Sequence, residues 1–309
     1  MDLLLLLMVV IWGANYSVLK RAFVEVPPQA FNAIRLTIAS LVFLAAIEWI
    51  KRLSRRAPGG LSPVFYTPQS LTPRDRWDLA WLGLFGHFGY QFFFVHGVAI
   101  TSVSNAAVII GATPAVVTVI TAVLGLERIT AVHWLGALVS VAGLYFVVGS
   151  GASFGSATLG GDLMVAASVV CWAAYTIGAG RLISRHSPLY ITGITMAIGG
   201  LPYAVIMFPH VLAVDWTSVP LWIWPAVTLS ALLAFNLSYV IWYVAVQRIG
   251  NARTSMYSSL VPIVAMGVAI VWLREPVSTM KLFGAAAVLS GVALTRLGRK
   301  PGTTLPVEE

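Results

Sequence analysis

Ten apolar stretches, each long enough to cross a bilayer, follow one another at about 3–19, 30–50, 77–99, 103–125, 131–150, 161–180, 188–208, 219–246, 252–273 and 278–297. A helix needs ~20 mostly apolar residues to span the ~30 Å hydrocarbon layer. In lipid every backbone N–H and C=O must be satisfied within the segment, so runs of this length fold as helices. Composition agrees: 59% of the 309 residues are hydrophobic and only 10% are charged, against ~25% charged in soluble domains. That excludes a soluble enzyme, a disordered chain and a disulfide scaffold. Cys171, the single cysteine, allows neither an internal disulfide nor a cysteine metal cluster. The expected fold is an all-α integral membrane protein of ten transmembrane helices.

Most connections are short, so neighbouring helices form antiparallel hairpins. Longer polar stretches occur at 51–76 and after Arg296, and neither holds a soluble domain. The start at Met1-Asp2-Leu3 lacks the basic n-region of a signal peptide and reads as a retained first span. The net charge of +8 is spread through loops, which argues against nucleic acid as a partner and for the lipid bilayer. With a cytoplasmic N-terminus, the loops on that side and the tail carry fourteen Lys and Arg, and the other side carries Lys20, Arg21, Arg274 and Lys281. Positive residues favour the cytoplasmic face, so both termini are expected in the cytoplasm, with the chain multi-pass in the cell inner membrane.

The chain also repeats itself. At an offset of 148, Pro114 meets Pro262, Glu127 meets Glu275, Gly136 meets Gly284 and Gly143 meets Gly291; at 160, Trp12 meets Trp172, Arg21 meets Arg181 and Pro28 meets Pro188. Each copy holds five spans, 3–150 and 161–297, with 298–309 as a tail. Five is odd, so the second copy enters the membrane from the opposite side. This inverted-repeat architecture puts a central cavity between the copies, as in many secondary transporters.

Two copies of Pro-(x)12-Glu-(x)8-Gly-(x)6-Gly, each behind an Asn/Ala/Ser-rich hairpin, resemble the EamA-type units of the drug/metabolite transporter superfamily. The His87-Phe88-Gly89-Tyr90 segment, with Trp12 and Trp172, is most similar to the YddG-type aromatic amino-acid exporters. The resemblance implies ten helices in a basket around a central cavity, and efflux of amino acids or similar metabolites.

Polar residues inside spans normally face the bundle interior or a water-filled path. At ~100° per residue, Gly83, Gly86, His87, Tyr90, Phe94 and Gly97 share one face of span three, with Gln91 at its edge and His96 opposite. This stripe favours a cavity wall over a small-residue helix contact. Span one presents Trp12, Asn15 and Tyr16 on one face, and span six presents Trp172 and Tyr175 on the equivalent one. In span eight Asn236, Tyr243 and Gln247 align, with Tyr239 at the edge; cavity lining and helix-to-helix hydrogen bonding stand level there. Pro114 and Pro262 should kink spans four and nine, as gates or as static curvature. Glu127 and Glu275 are expected to cap helix starts or pair with Arg128 and Arg274. Arg35 is expected to snorkel to the outer surface, with contact to a substrate carboxylate as the alternative.

No catalytic motif is present, so an enzyme is not expected, and nothing calls for a metal or another cofactor. The expected activity is export of amino acids, broad in range, by a monomer cycling through alternating access. Alternatives are an exporter of another metabolite or drug, and a passive channel. His87 is the deep titratable candidate if protons are coupled; down-gradient transport is the other possibility.

Overall fold

The computed structural model describes residues 1–56, 61–67, 69–125, 130–149, 157–249, 254 and 257–297. Among the described residues there are helices and no strands. Six helices are long and apolar enough to cross a membrane: Asp2–Ala22, Pro28–Arg56, Val103–Val123, Thr158–Ile183, Pro188–Ile206 and Ile223–Val246. Shorter apolar helices cover Ala131–Val147, Val261–Leu273 and Thr279–Leu294. The helix over 73–100 falls outside both groups, diluted by His87, Gln91 and His96 in its interior.

The first helix, α1 (Asp2–Ala22), carries Asp2 in its first turn and Lys20 and Arg21 in its last, the charge order that suits a helix dipole. Helix α2 (Pro28–Arg56) starts on a proline, whose missing N–H is lost at no expense there. It runs on to Arg56 where the sequence suggested a loop from 51, because no Pro or Gly intervenes before Pro58. Helix α3 (Pro73–Leu82) also begins inside that loop, behind a capping box made by Thr72 and Asp75.

From α3 the backbone widens into a π-helical segment, Gly83–Gly89, and returns to α-helix in α4 (Tyr90–Ile100). Span four is two helices, α5 (Val103–Gly111) and α6 (Thr113–Val123), broken at Ala112. Helices α7 (Ala131–Gly149), α8 (Ala157–Ile183) and α9 (Pro188–Ile206) follow, with a short α10 (Phe208–Leu212). Helix α11 (Ile223–Leu229) widens into a second π segment, Ser230–Leu237, before α12 (Ser238–Ile249). Helices α13 (Val261–Leu273) and α14 (Thr279–Leu297) close the chain.

The two halves interdigitate. Helix α2 packs on α9, α4 on α8, α1 on α13 and α7 on α14. The α7–α14 seam uses small residues: a Cβ added at Gly143 would lie 2.7 Å from the carbonyl oxygen of Gly284, and one at Gly291 would lie 2.5 Å from that of Gly136. Leu135, Leu138, Val141, Val271 and Phe283 point outwards and are exposed, a surface that only lipid would cover without penalty.

Overpacking a backbone-to-backbone seam costs ~1–3 kcal/mol. Gly143→Ala should therefore lower the melting temperature of the detergent-solubilised protein. Gly160→Ala, whose new methyl would meet nothing within 4 Å, should leave it level or raise it. Matched melting curves by size-exclusion fluorescence check the pair.

Candidate functional site

Most of the aromatic candidates meet in one connected cluster. Trp12 of α1 lies edge-on to Tyr239 (ring centroids 6.3 Å apart), and Tyr239 lies 6.1 Å from Trp172 and 6.4 Å from Tyr243. Trp172 stacks on Tyr175 at 5.1 Å and meets Tyr90 at 5.2 Å. Tyr90 stacks on Phe94 at 5.4 Å, and Phe94 meets Tyr16 edge-on at 5.6 Å. His87 joins through Tyr175 at 4.9 Å and Trp172 at 6.4 Å. Trp12, Tyr90, Trp172, Tyr239 and Tyr243 remain half-buried although they face inwards. Part of each of these rings therefore stays accessible. Trp242, 6.0 Å from Trp12, extends it and was not singled out from the sequence.

The polar candidates are differently placed. Asn15 accepts a hydrogen bond from the Ser230 hydroxyl (2.6 Å). Asn236 donates to the carbonyl oxygen of Ala39 on α2 (3.1 Å), the helix-to-helix role. Gln91 accepts from Arg35 (3.0 Å). The Tyr243 hydroxyl accepts from Thr192 (2.9 Å) and the Trp12 indole donates to the carbonyl of Ala234 (2.8 Å), tying the cluster to α9 and to the second π segment.

The glycine stripe of span three is a packing seam. A Cβ at Gly83 would strike Ile198, one at Gly86 the Tyr175 ring and one at Gly97 Val165, so these glycines let α8 and α9 approach. His87 sits in that seam, 1% exposed, with its Nε2 unpartnered. The π turn explains the difference: it shifts the register that a uniform 100° per residue assumes. His96 does lie elsewhere, bonded to Gln29 (2.9 Å) and to the carbonyl of Phe92 (2.6 Å).

Arg35 does not snorkel. Its side chain is 1% exposed and turned into the bundle. Its guanidinium donates to Asn32 Oδ1 (2.7 and 3.0 Å), Gln91 Oε1 (3.0 Å) and Ser230 Oγ (3.3 Å), and lies 4.6 Å from the centre of the Phe235 ring.

Pro114 and Pro262 each occupy the first turn of a new helix, α6 and α13, rather than a kink in a continuous one. The breaks touch: a Cβ on Gly111 would lie 2.7 Å from Cγ of Pro262. Glu275 caps a helix start, but a distant one. Its carboxylate accepts from the amides of Val103 (2.9 Å) and Ser104 (3.1 Å), and it forms no pair with Arg274. Glu127 and Arg128 lie outside the described residues, as does the Gln247 side chain.

Both ends of the bundle carry polar ties. At one, Lys20 donates to the carbonyls of Val98, Ala99 and Thr101 (3.0, 2.9 and 2.5 Å), and Asp162 accepts from Thr101 and Asn105. At the other, Asp75 holds Arg185 (2.6 Å) and His186 (3.3 Å). Burial alone would raise the Asp75 carboxyl; hydrogen bonds from Thr72 and His186 and the charge of Arg185 outweigh it and hold it at about 2. A carboxylate so depressed stabilises the fold above its unfolded pKa of ~3.9, and that stability is lost as pH falls towards the folded value. Asp75→Asn should lower the melting temperature by a few degrees at a constant margin from pH 5 to 8, and the margin should shrink between pH 4 and pH 2. Melting curves of both proteins across that range check it.

The EamA-like transporter family matches residues 1–149 and again 159–297. The transporter YyaM of Bacillus subtilis is 26% identical over 91% of this chain and 88% of its own length. A protein of Streptantibioticus cattleyicolor named as a probable terminal-alkyne amino-acid exporter is 25% identical over 98% of this chain and 96% of its own. A crystal structure 20% identical in sequence superposes with a TM-score of 0.63, covering 97% of this chain and 98% of the other, which shows the fold alone. With both halves matched, the chain belongs to the EamA-like transporter family, built from two EamA repeats in the membrane.

Proposed function

We propose that this transporter exports amino acids and related small metabolites from the cytoplasm by alternating access. The observation that carries the reading is the ring cluster, which joins Trp12, Tyr90 and Phe94 of the first repeat to Trp172, Tyr175, Tyr239 and Tyr243 of the second. A site lined by rings and placed between repeats suits a ligand with an apolar side chain. The relative named as an amino-acid exporter supports the class. Ten spans in two inverted sets of five are the architecture we assign. Three observations support it: the exchanged glycine contacts of α7 and α14, the two π segments at matching points of the repeats, and the paired breaks before Pro114 and Pro262. In this scheme both termini face the cytoplasm of a cell inner membrane and the protein acts as a monomer. The Lys20–Asp162 and Asp75–Arg185 ends open in turn, and the touching breaks at Gly111 and Pro262 are the flexible points.

Topology is checked with a single cysteine at Gln69 in a Cys171→Ser background; it should be shielded from an impermeant thiol reagent in intact cells. Labelling from outside would reverse the assigned orientation.

Transport is checked with purified protein in liposomes and labelled amino acids, with and without a pH gradient. A hydrogen bond to a charged ligand group is worth ~1.5–3 kcal/mol, and ~1.4 kcal/mol is tenfold in affinity. His87 lies in the packing seam, but its Nε2 is unpartnered and its ring meets Tyr175 and Trp172, so the ligand contact we assign to it forms when the seam opens. His87→Ala should then weaken transport about tenfold or more in a monodisperse protein, while His96→Ala has little effect. Tyr90→Phe should lose less than Tyr90→Ala, because the ring contacts stay. Response of the rate to a pH gradient in wild type, lost in His87→Gln, would assign the coupled proton to His87. Liposomes that pass only inorganic ions would make the protein a channel.

A further inference from the structure

Arg35 carries a full positive charge in the interior of the bundle with no negative charge to meet it. Among the described residues its partners are the neutral oxygens of Asn32, Gln91 and Ser230 and the face of Phe235, and no carboxylate pairs with it. An arginine cannot shed its proton to escape this situation. A charge without a counter-charge inside a membrane protein is costly, and such residues mark ligand or ion sites.

The surroundings repeat the imbalance. Nδ2 of Asn32 and the hydroxyl of Tyr203 are buried with no close hydrogen-bond partner, the Asn32 amide lying only within long reach of the Tyr203 oxygen. Both residues are near the guanidinium: Asn32 accepts from it directly, and Tyr203 lies within its electrostatic reach. Donors outnumber acceptors here, which is the opposite of what a purely structural hydrogen-bond network needs. The position is also central. Arg35 bridges the two π-containing spans, touching Gln91 just after the first π segment and Ser230 and Phe235 within the second. Ser230 passes the contact on to Asn15, which is half-buried beside Trp12. Tyr90 and Tyr239 of the ring cluster lie within reach of the same charge.

We infer that Arg35 is the receptor for the carboxylate of the transported molecule, so that the transporter selects organic acids and zwitterions over amines and amides. This deepens the proposed function and rests on it for the rest of the substrate. A carboxylate supplies the missing charge and up to four acceptor sites, and a guanidinium fork grips it in two parallel hydrogen bonds. To admit it, Gln91 or Ser230 must release its hold, and both stand on segments next to a π turn, where helices rearrange most readily.

The test is counterflow in proteoliposomes with L-phenylalanine, its carboxamide and 3-phenylpropionate, in chloride and in sulfate buffer. Wild type should favour the acid over the amide by about tenfold or more. Arg35→Gln should lose phenylalanine flux by at least that factor and leave the carboxamide within about twofold. Arg35→Lys should keep the preference at a reduced rate, because a point charge replaces the fork. Gln91→Glu, which builds a carboxylate opposite the guanidinium, should raise the melting temperature and abolish acid transport; this variant decides the matter if Arg35→Gln does not fold. Equal handling of acid and amide by wild type overturns the assignment, as does an equal loss of both in a folded Arg35→Gln. Undiminished acid flux in Gln91→Glu, or an absolute need for chloride that marks a resident halide, overturns it too. Phenylpropionate moving while phenylalanine does not would sustain Arg35 and sink the amino-acid reading. Phenylalanine moving with no preference for the acid would do the reverse.

Discussion

Inside a bilayer no water is available to backbone groups, so each place where a helix stops or widens must find its hydrogen bonds within the protein. That constraint organises this molecule. The α4–α5 corner exposes carbonyls at one helix end and amides at the next helix start. Lys20 covers the carbonyls of Val98, Ala99 and Thr101, and Glu275 covers the amides of Val103 and Ser104. One comes from the first repeat and the other from the second, so the corner is stitched by both halves. The break at Ala112 is met locally, by Thr113 donating to the carbonyl of Ile110 at 2.6 Å, and by a proline that lacks the amide it would otherwise leave bare. Among the described residues, charged side chains thus sit at helix ends, and the bundle interior is left to rings and neutral polar groups, with Arg35 as the exception.

The two π segments set what that interior presents. A π turn widens the helix and rotates the residues beyond it, so Gly83 and Gly86 pack on α9 and α8 while Tyr90 and Gln91 turn towards α8 and α2. The second segment does the same in the other repeat, bringing Ser230 and Phe235 to Arg35 and Tyr239 to Trp12 and Trp172. Local widening of this kind persists only where surrounding contacts hold it, and it recurs at functional sites. Its presence in the two spans that supply most of the cluster ties the backbone irregularity to the site.

Hydropathy and the offset of 148 made the membrane class and the two copies legible, because both depend on residue type alone. The rings of Trp12, Tyr90, Phe94, Trp172, Tyr175, Tyr239 and Tyr243 were legible too, since deep aromatic residues at helical spacing have few other places to go. The π turns were not: they depend on packing of α9 and α8 against glycines that a uniform helix would place elsewhere. The partner of Glu275 lies 172 residues away from it in sequence, beyond any local pattern. Arg35 was visible as a charge within a span, but its direction was misjudged. Asn32 at i−3 was the available signal, since an amide one turn back gives the guanidinium an inward partner that a snorkelling side chain would not need.

Placing a carboxylate on Arg35 also fixes the rest of a zwitterion. On the proposed reading its ammonium, one carbon away, is met by the rings of Tyr90 and Tyr239, which lie near the same charge, and ring faces attract a cation without requiring a fixed anion. The side chain then meets more rings, which accept apolar groups of many shapes because stacking and edge contacts carry little directional demand. On that reading, recognition is strict at the one end that all amino acids share and loose at the end where they differ. Arg35, on the proposed reading, discriminates by charge and the ring cluster accommodates by area, a division of labour that suits a broad exporter.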